Sequence, residues 1–335
     1  MSASAATGAP RSVSNRALLV SAGSLVALIV AARVADVGQL SAAQNFVLIF
    51  TAIVVEALPF VLIGAVAGAI IEVYVPEGFV SRVGRMRLGA QLPLAVMGGL
   101  AFPVCDCGSV PVARRLIARG VHPAAGLAFM FAAPIFDPIV LASTFIAYRG
   151  RGFAWQMVGG RAALALVVAL AAGWALGTEG TESLLRPRPD DFDPTDGAHS
   201  SGGKKRVFVE HLTSDFLFMG KFLVVGAALS AAIQTALPQS VVSGVARTPV
   251  VGTLALMGIA WIASLCSEAD AFVAVSFTQF PLGSQLAFLV FGPVADAKLS
   301  MIYSGTFRSR FVLRLLAVVV PVVLAGSLWF EAAVR

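Results

Sequence analysis

The sequence predicts an all-α polytopic membrane protein built from two inverted repeats, each of about three spans plus one re-entrant hairpin, with an extra N-terminal span. Three observations carry this. Of the 335 residues, 58% are hydrophobic and 13% charged, with a mean hydropathy of +0.87, whereas a soluble domain carries about 25% charged residues. Many apolar runs approach the roughly 20 residues that cross a bilayer as a helix. Two such runs are interrupted by thiols and carboxylates, CDCGSVPVA at 105–113 and CSEADAFVA at 266–274, and they occupy matching places in the two halves.

The apolar segments fall at 17–35, 46–75, 90–105, 123–148, 153–177, 215–237, 249–266, 282–303 and 311–333. Residues 1–45 form an N-terminal tail and the extra span; a cleaved signal peptide is the competing reading of the run from Ala17 to Ala32. Segments 90–105 and 249–266 are short, and each is followed by a second short piece, 108–120 and 270–280. Basic residues report the cytoplasmic side. Arg82, Arg85 and Arg87 precede the first short pair, and Arg114, Arg115 and Arg119 follow it. One crossing separates such clusters, whereas a re-entrant hairpin keeps them together and puts Cys105, Asp106 and Cys107 at its tip. The rival wiring is a full crossing at 90–107. Irregular backbone at membrane depth requires a surrounding of protein or of a wet cavity.

The halves echo each other. FVLIGAVAGAII at 60–71 resembles FLVVGAALSAAI at 222–233, LAVMGG at 94–99 resembles LALMGI at 254–259, and LAFMFAAPIFD at 127–137 resembles LAFLVFGPVAD at 286–296; the offset stays at about 160 residues. The domain reading is therefore repeat 1 at 46–177, a Pro-, Gly- and Ser-rich cytoplasmic linker at 178–214, and repeat 2 at 215–335. An odd number of crossings per repeat inverts the second copy. Inverted repeats place a site at their interface near the midplane.

Charges within spans mark that site. An Asp or Lys at the centre of a membrane helix costs about 2.5–3.5 kcal/mol. Asp106, Asp137, Glu268, Asp270, Asp296 and Lys298 lie at such depths, as does Glu56. Such groups face the interior and pair; stitching helices together is their plain structural role. Asp296 and Lys298 do not share a helix face, so each is expected to pair with another segment. Pro134 and Pro293 precede Asp137 and Asp296 by three residues, and a proline there frees a carbonyl and bends the helix. The three cysteines, Cys105, Cys107 and Cys266, all fall in the interrupted runs. Thiolates suit thiophilic ions, so they are the candidate ligands if such an ion is carried; a buried cysteine also serves as a small apolar filler.

The runs FPVCDCGSVPVARRLIARG and FAAPIFDPIVLAST, with CSEADAFVAVSF and LAFLVFGPVADAKLSM, resemble the predicted permease family that includes YraQ-type proteins and the ArsP organoarsenical exporters. The resemblance covers about residues 46–333. It implies an inner-membrane permease, and in the ArsP branch efflux of trivalent organoarsenicals with cysteine thiols implicated.

The expected function is a secondary transporter exporting a small thiophilic solute or metalloid species. No phosphate-binding G-x-x-x-x-G-K-[ST] motif is present, so an ion gradient supplies any energy. An enzyme is not expected, nor a cofactor, and the positive net charge fits headgroups rather than nucleic acid. Partners are membrane lipid and the solute, with a homo-oligomer left open. The alternatives are a subunit of a larger transport complex and a membrane thiol oxidoreductase using Cys105 and Cys107.

Overall fold

The computed structural model describes residues 41–101, 105–178, 180–186, 204–236 and 249–334. The expected span at 17–35, the signal-peptide alternative and the middle of the linker lie outside the described residues. The described chain is helical: α1 (Ser41–Tyr74), α2 (Glu77–Gly84), α3 (Leu88–Ala101), α4 (Asp106–Ala118), α5 (Pro123–Phe136), α6 (Pro138–Tyr148), α7 (Ala154–Gly177), α8 (Thr181–Leu184), α9 (Lys204–Ala236), α10 (Pro249–Ala263), α11 (Asp270–Ala274), α12 (Leu282–Phe291), α13 (Ala297–Thr306) and α14 (Phe311–Val334). Within the described residues, α1, α7, α9 and α14 are each long and apolar enough to cross a membrane, and α5 with α6 makes a fifth candidate bent by 40°.

Helix ends sort into two groups. At one end the side chain of Gln91, in the first turn of α3, accepts from the His122 N–H just ahead of α5 (3.1 Å) and donates to the carbonyls of Gly84 (3.0 Å) and Met86 (2.9 Å). Gly84 meets the Gly120 backbone so closely that a Cβ on Gly84 would lie 2.3 Å from the Gly120 carbonyl oxygen. The chain from 84 to 122 thus returns to its starting point, and α3 with α4 forms a V rather than a crossing. Arg115 closes the same end: it pairs with Glu72 of α1 (3.0 Å) and Asp215 of α9 (2.7 Å). Arg119 donates to the carbonyls of Ile71 and Val75. The ends of α8 and α13 join it through the bridge Leu185–Phe307 and the Arg186 N–H to Thr306 carbonyl bond (3.1 Å). This is the basic end.

The second V, α10 with α11 and the turns to Pro281, starts and finishes at the other end. Thr253 in α10 bonds Ser284 in α12 (2.9 Å), and the Gln285 amide donates to the carbonyls of Phe277 (3.0 Å) and Phe280 (3.1 Å). Tyr148, closing α6, donates to Gln285 (2.8 Å), and Glu331 near the end of α14 accepts from the Gly283 N–H (2.8 Å).

Small residues bring the helices together, as close packing without a hydrophobic drive requires. The α1–α4 crossing is glycine on glycine: a Cβ on Gly64 would fall 2.4 Å from Gly108 Cα. At the repeat-matched Gly226, a Cβ would fall 2.7 Å from Lys298 Cα, which sets the α9–α13 crossing. The return helix of each V packs on the second piece of a broken apolar run in the other half, α4 on α13 and α11 on α6.

Three segments differ from the expected spans. The run 123–148 bends by 40° where Asp137 parts α5 from α6. The run 282–303 is not continuous: it breaks over Gly292–Asp296, where Pro293 cannot continue the ladder. Helix α9 starts at Lys204, inside the stretch read as linker.

Two outcomes test this packing. Arg87→Cys and Ala118→Cys, both at exposed positions, should react with a membrane-impermeant maleimide from the same side of sealed vesicles; reaction from opposite sides would disprove the returning V. Gly64→Ala should lower stability by about 1–3 kcal/mol, the cost of overpacking a tight contact, read as a lower melting temperature in detergent.

Candidate functional site

Lys298 links the tips of the two Vs inside the molecule, through Asp106 of the first and the Ser264 hydroxyl of the second, and the place is built from helix starts. Cys105 is the N-cap of α4, with extended backbone (φ −66°, ψ 172°), and its Sγ accepts from the Gly108 N–H at 3.4 Å. Asp106 follows in the first turn. Asp137 separates α5 from α6: preceding Pro138, it is held out of the helical region, and its Oδ1 caps the Ile139 N–H at 2.8 Å. Asp296 caps α13 through the Leu299 N–H at 2.5 Å, and Asp270 opens α11. Four interior helix starts therefore carry an Asp, where the helix dipole favours negative charge.

Lys298, the second residue of α13, joins the halves. Its Nζ lies 3.4 Å from Asp106 Oδ2 and 3.7 Å from Asp296 Oδ2, with all three side chains at most 1% exposed. Pairing with Asp106 is the expected contact to another segment. The Asp296 contact corrects the expectation that Asp296 and Lys298 keep apart: Asp296 sits in the cap, outside the helix, so its side chain turns back toward Lys298. Asp106 Oδ1 and Asp296 Oδ2 accept no hydrogen bond.

One sulfur touches this pair: Cys107 Sγ–H points at Asp106 Oδ2 (3.9 Å). All three cysteines are buried and free. No group of three or more His, Cys, Asp or Glu side chains among the described residues is disposed to hold a metal ion. Glu268 is half-buried, within reach of the charges of Asp106, Asp137 and Glu56. Glu56 itself is exposed on α1, not enclosed as its position in the sequence suggests.

Asp270 has a different fate. The guanidinium of Arg161 in α7 grips it with two bonds, Nη1 to Oδ1 (3.0 Å) and Nη2 to Oδ2 (2.7 Å), and also reaches Thr144 (2.8 Å) and the Ser267 carbonyl (3.2 Å). Sequence reasoning missed Arg161. The signal was present, a lone arginine eight residues into the apolar α7, open to the same cost argument as the acids. Pro134 and Pro293 stand beside the two breaks and shape backbone; the Val294 carbonyl in the second break is satisfied by the Tyr303 hydroxyl (3.1 Å).

The second V is pinned at its tip. Ser264 ends α10 in a left-handed conformation (φ 47°), and its hydroxyl accepts from the Lys298 N–H (3.3 Å). The last carbonyls of α10 are covered from α9, where Ser230 donates to Ile262 and Gln234 donates to Ile262 and Ala263.

Comparison with known proteins places the chain in a family. The model of the ArsP_1 family, described as a predicted permease, matches residues 42–332. The chain belongs to this family. It is 40% identical over 285 residues to the UPF0718 protein YcgR of Bacillus subtilis, covering 84% of this chain and 95% of that one. It is 32% identical over 274 residues to a protein of Streptococcus mutans named a putative two-component membrane permease complex subunit, covering 79% and 88%. No solved structure matches significantly. The protein is a multi-pass membrane permease.

Removing Arg161 strands a buried carboxylate. Arg161→Gln should destabilise the protein by about 3–5 kcal/mol, the cost of breaking one side of a buried pair, and Asp270→Asn in the same chain should restore much of it. Thermal unfolding in detergent measures both; equal melting of Arg161→Gln and the parent would show that the pair does not hold α7 to the second V.

Proposed function

We propose that this permease is a secondary transporter of the cell's inner membrane, made of two inverted repeats (46–177 and 215–335) joined by a cytoplasmic linker. It exports a small thiophilic solute, such as a trivalent organoarsenical, through a midplane site of Cys105, Asp106, Cys107, Asp137, Cys266, Glu268, Asp296 and Lys298, with Pro134, Asp270 and Pro293 holding its backbone. The observation that carries the reading is the buried Asp106–Lys298 contact between the first V and the second half, with the Cys107 thiol against Asp106. Two Vs that return to opposite ends, each packed on a broken run of the other half, support the inverted-repeat arrangement, because exchanging the two halves then exchanges the exposed side of the site. Helix termini ending inside the molecule offer the dipoles that such sites use.

Thiol chemistry gives the substrate class. Soft sulfur ligands favour soft acceptors, and Cys105 and Cys107 stand one residue apart at a helix start. The test exploits the cap. Serine is a good N-cap, so Cys105→Ser keeps the start of α4 while removing its sulfur. Cells producing Cys105→Ser or Cys107→Ser should accumulate the protein normally and lose resistance to methylarsenite, with higher intracellular arsenic. Full resistance in both variants would remove the thiols from the mechanism.

A second reading comes from the name of the Streptococcus mutans relative: the chain works as one subunit of a two-component permease. Liposomes holding the purified chain alone separate the two. Transport without a partner supports the single-chain reading, and transport only after a second membrane protein is added supports the complex.

A further inference from the structure

At the basic end a cavity of about 170 Å³ opens where α7, α8 and the α13–α14 turn meet. Leu176, Leu184 and Phe311 form its apolar side, and Arg308, Arg310 and Arg314 with Ser309 form the rest. Among the described residues no carboxylate lines it. Its walls are tied by backbone: the Arg308 N–H donates to the Leu184 carbonyl (3.1 Å), beside the Leu185–Phe307 bridge, and the Phe311 N–H donates to the Arg308 carbonyl (2.9 Å). The arginines therefore stand on a fixed turn, not on a loose surface.

Size and position limit the ligand. The cavity is smaller than the roughly 300–1,000 Å³ of sites for drug-sized molecules, so it admits one phosphate group and not a nucleotide. Guanidinium groups bind phosphate oxygens in paired hydrogen bonds, and the turn leads into the N-terminus of α14, a 24-residue helix whose dipole adds positive potential there. Since Phe311 begins a membrane-crossing helix, Arg308 and Arg310 fall at headgroup level, and Leu176, Leu184 and Phe311 face the ligand where an ester's carbon chain would run. Basic pockets between membrane helices bind lipid headgroups in this way.

We infer that this cavity binds the phosphate of an ester held at the membrane surface, the headgroup of an anionic phospholipid in the leaflet at the basic end. The ligand bridges α7, α8 and the foot of α13, the helix whose other end carries Asp296 and Lys298. Its occupancy thus steadies the helix that joins the two halves.

The test uses the full chain in nanodiscs of phosphatidylcholine, with or without phosphatidylglycerol, and reads lipid binding by native mass spectrometry and stability by thermal unfolding. Phosphatidylglycerol should bind and raise the melting temperature. Arg308→Gln and Arg310→Gln, at exposed positions that leave the core untouched, should each weaken that binding about fivefold. Arg149→Gln and Arg151→Gln at the far end should not weaken it. Equal binding by the Arg308 and Arg310 variants and the parent, or equal loss in the far-end variants, would overturn the site. Inorganic phosphate in phosphatidylcholine nanodiscs is the remaining arm. No stabilisation by it supports the lipid source, and stabilisation equal to that by phosphatidylglycerol overturns that source in favour of a soluble anion. None of these readouts involves a transported solute, so a failure of the transport reading leaves them intact.

Discussion

A lysine shared between two carboxylates, out of reach of water, is the constraint on which the rest of the fold turns. A charged group in a low-dielectric interior is tolerable only when its partners are held in place. Lys298 meets Asp106 from one half and Asp296 from its own cap, so both halves must present their acids at one point. That requires helices that stop inside the molecule. It also requires the backbone of α13 to come close to α9, which the missing side chain at Gly226 permits. The matched Gly64 does the same for α1 and α4. The glycines of the repeat are therefore set by where the charges must sit.

The second buried pair obeys the same logic on the other V. Arg161 and Asp270 match one to one, and the two terminal nitrogens of Arg161 also reach the Thr144 hydroxyl and the Ser267 carbonyl. Each V thus ends at an acid held by a cation on another element: Asp106 by Lys298 from the second half, Asp270 by Arg161 from the first. The two ties differ in one respect. Arg161 gives both terminal nitrogens to one acid and keeps only its Nε without a partner, whereas Lys298 is divided between two acids and leaves one oxygen of each without a hydrogen bond. The tie at Lys298 leaves both of its acids short of a bond, and the Cys107 thiol lies against one of them.

Much of this was legible in the residues, and the limits are physical. The returning V at 88–118 follows from arginine clusters on both flanks, which one crossing cannot place on one side. The Asp-Pro pair at 137–138 announces a helix end and a helix start together. The acids were legible as costs but not as caps, since capping depends on a helix beginning at that residue, and the apolar background conceals such starts. For the same reason the run 282–303 reads as one helix; only Gly292 and Pro293 hint at its break. Arg161 was visible as a charge and went unread. Its partner, more than a hundred residues away, is assigned by tertiary contact alone.

The ties are unevenly spread along the long axis, and this bears on how the permease must move. Around the basic half, α1 crosses α4 glycine on glycine, α9 crosses α13 at Gly226, and α4 packs on α13. Arg115 then binds the end of α1, through Glu72, and the first half of α9, through Asp215, to α4. In the far half, α6 and α11 pack on each other and on α7 and α12, with α1 and α9 making no comparable glycine crossing onto them. Any conformation that opened the site toward the basic end would have to pull Arg115 from two acids and slide two glycine contacts apart. Interfaces packed this closely have few intermediate arrangements, so such a change would move α1 with α9 as one body against the Vs. The proposed site at Lys298 lies on the seam between those bodies.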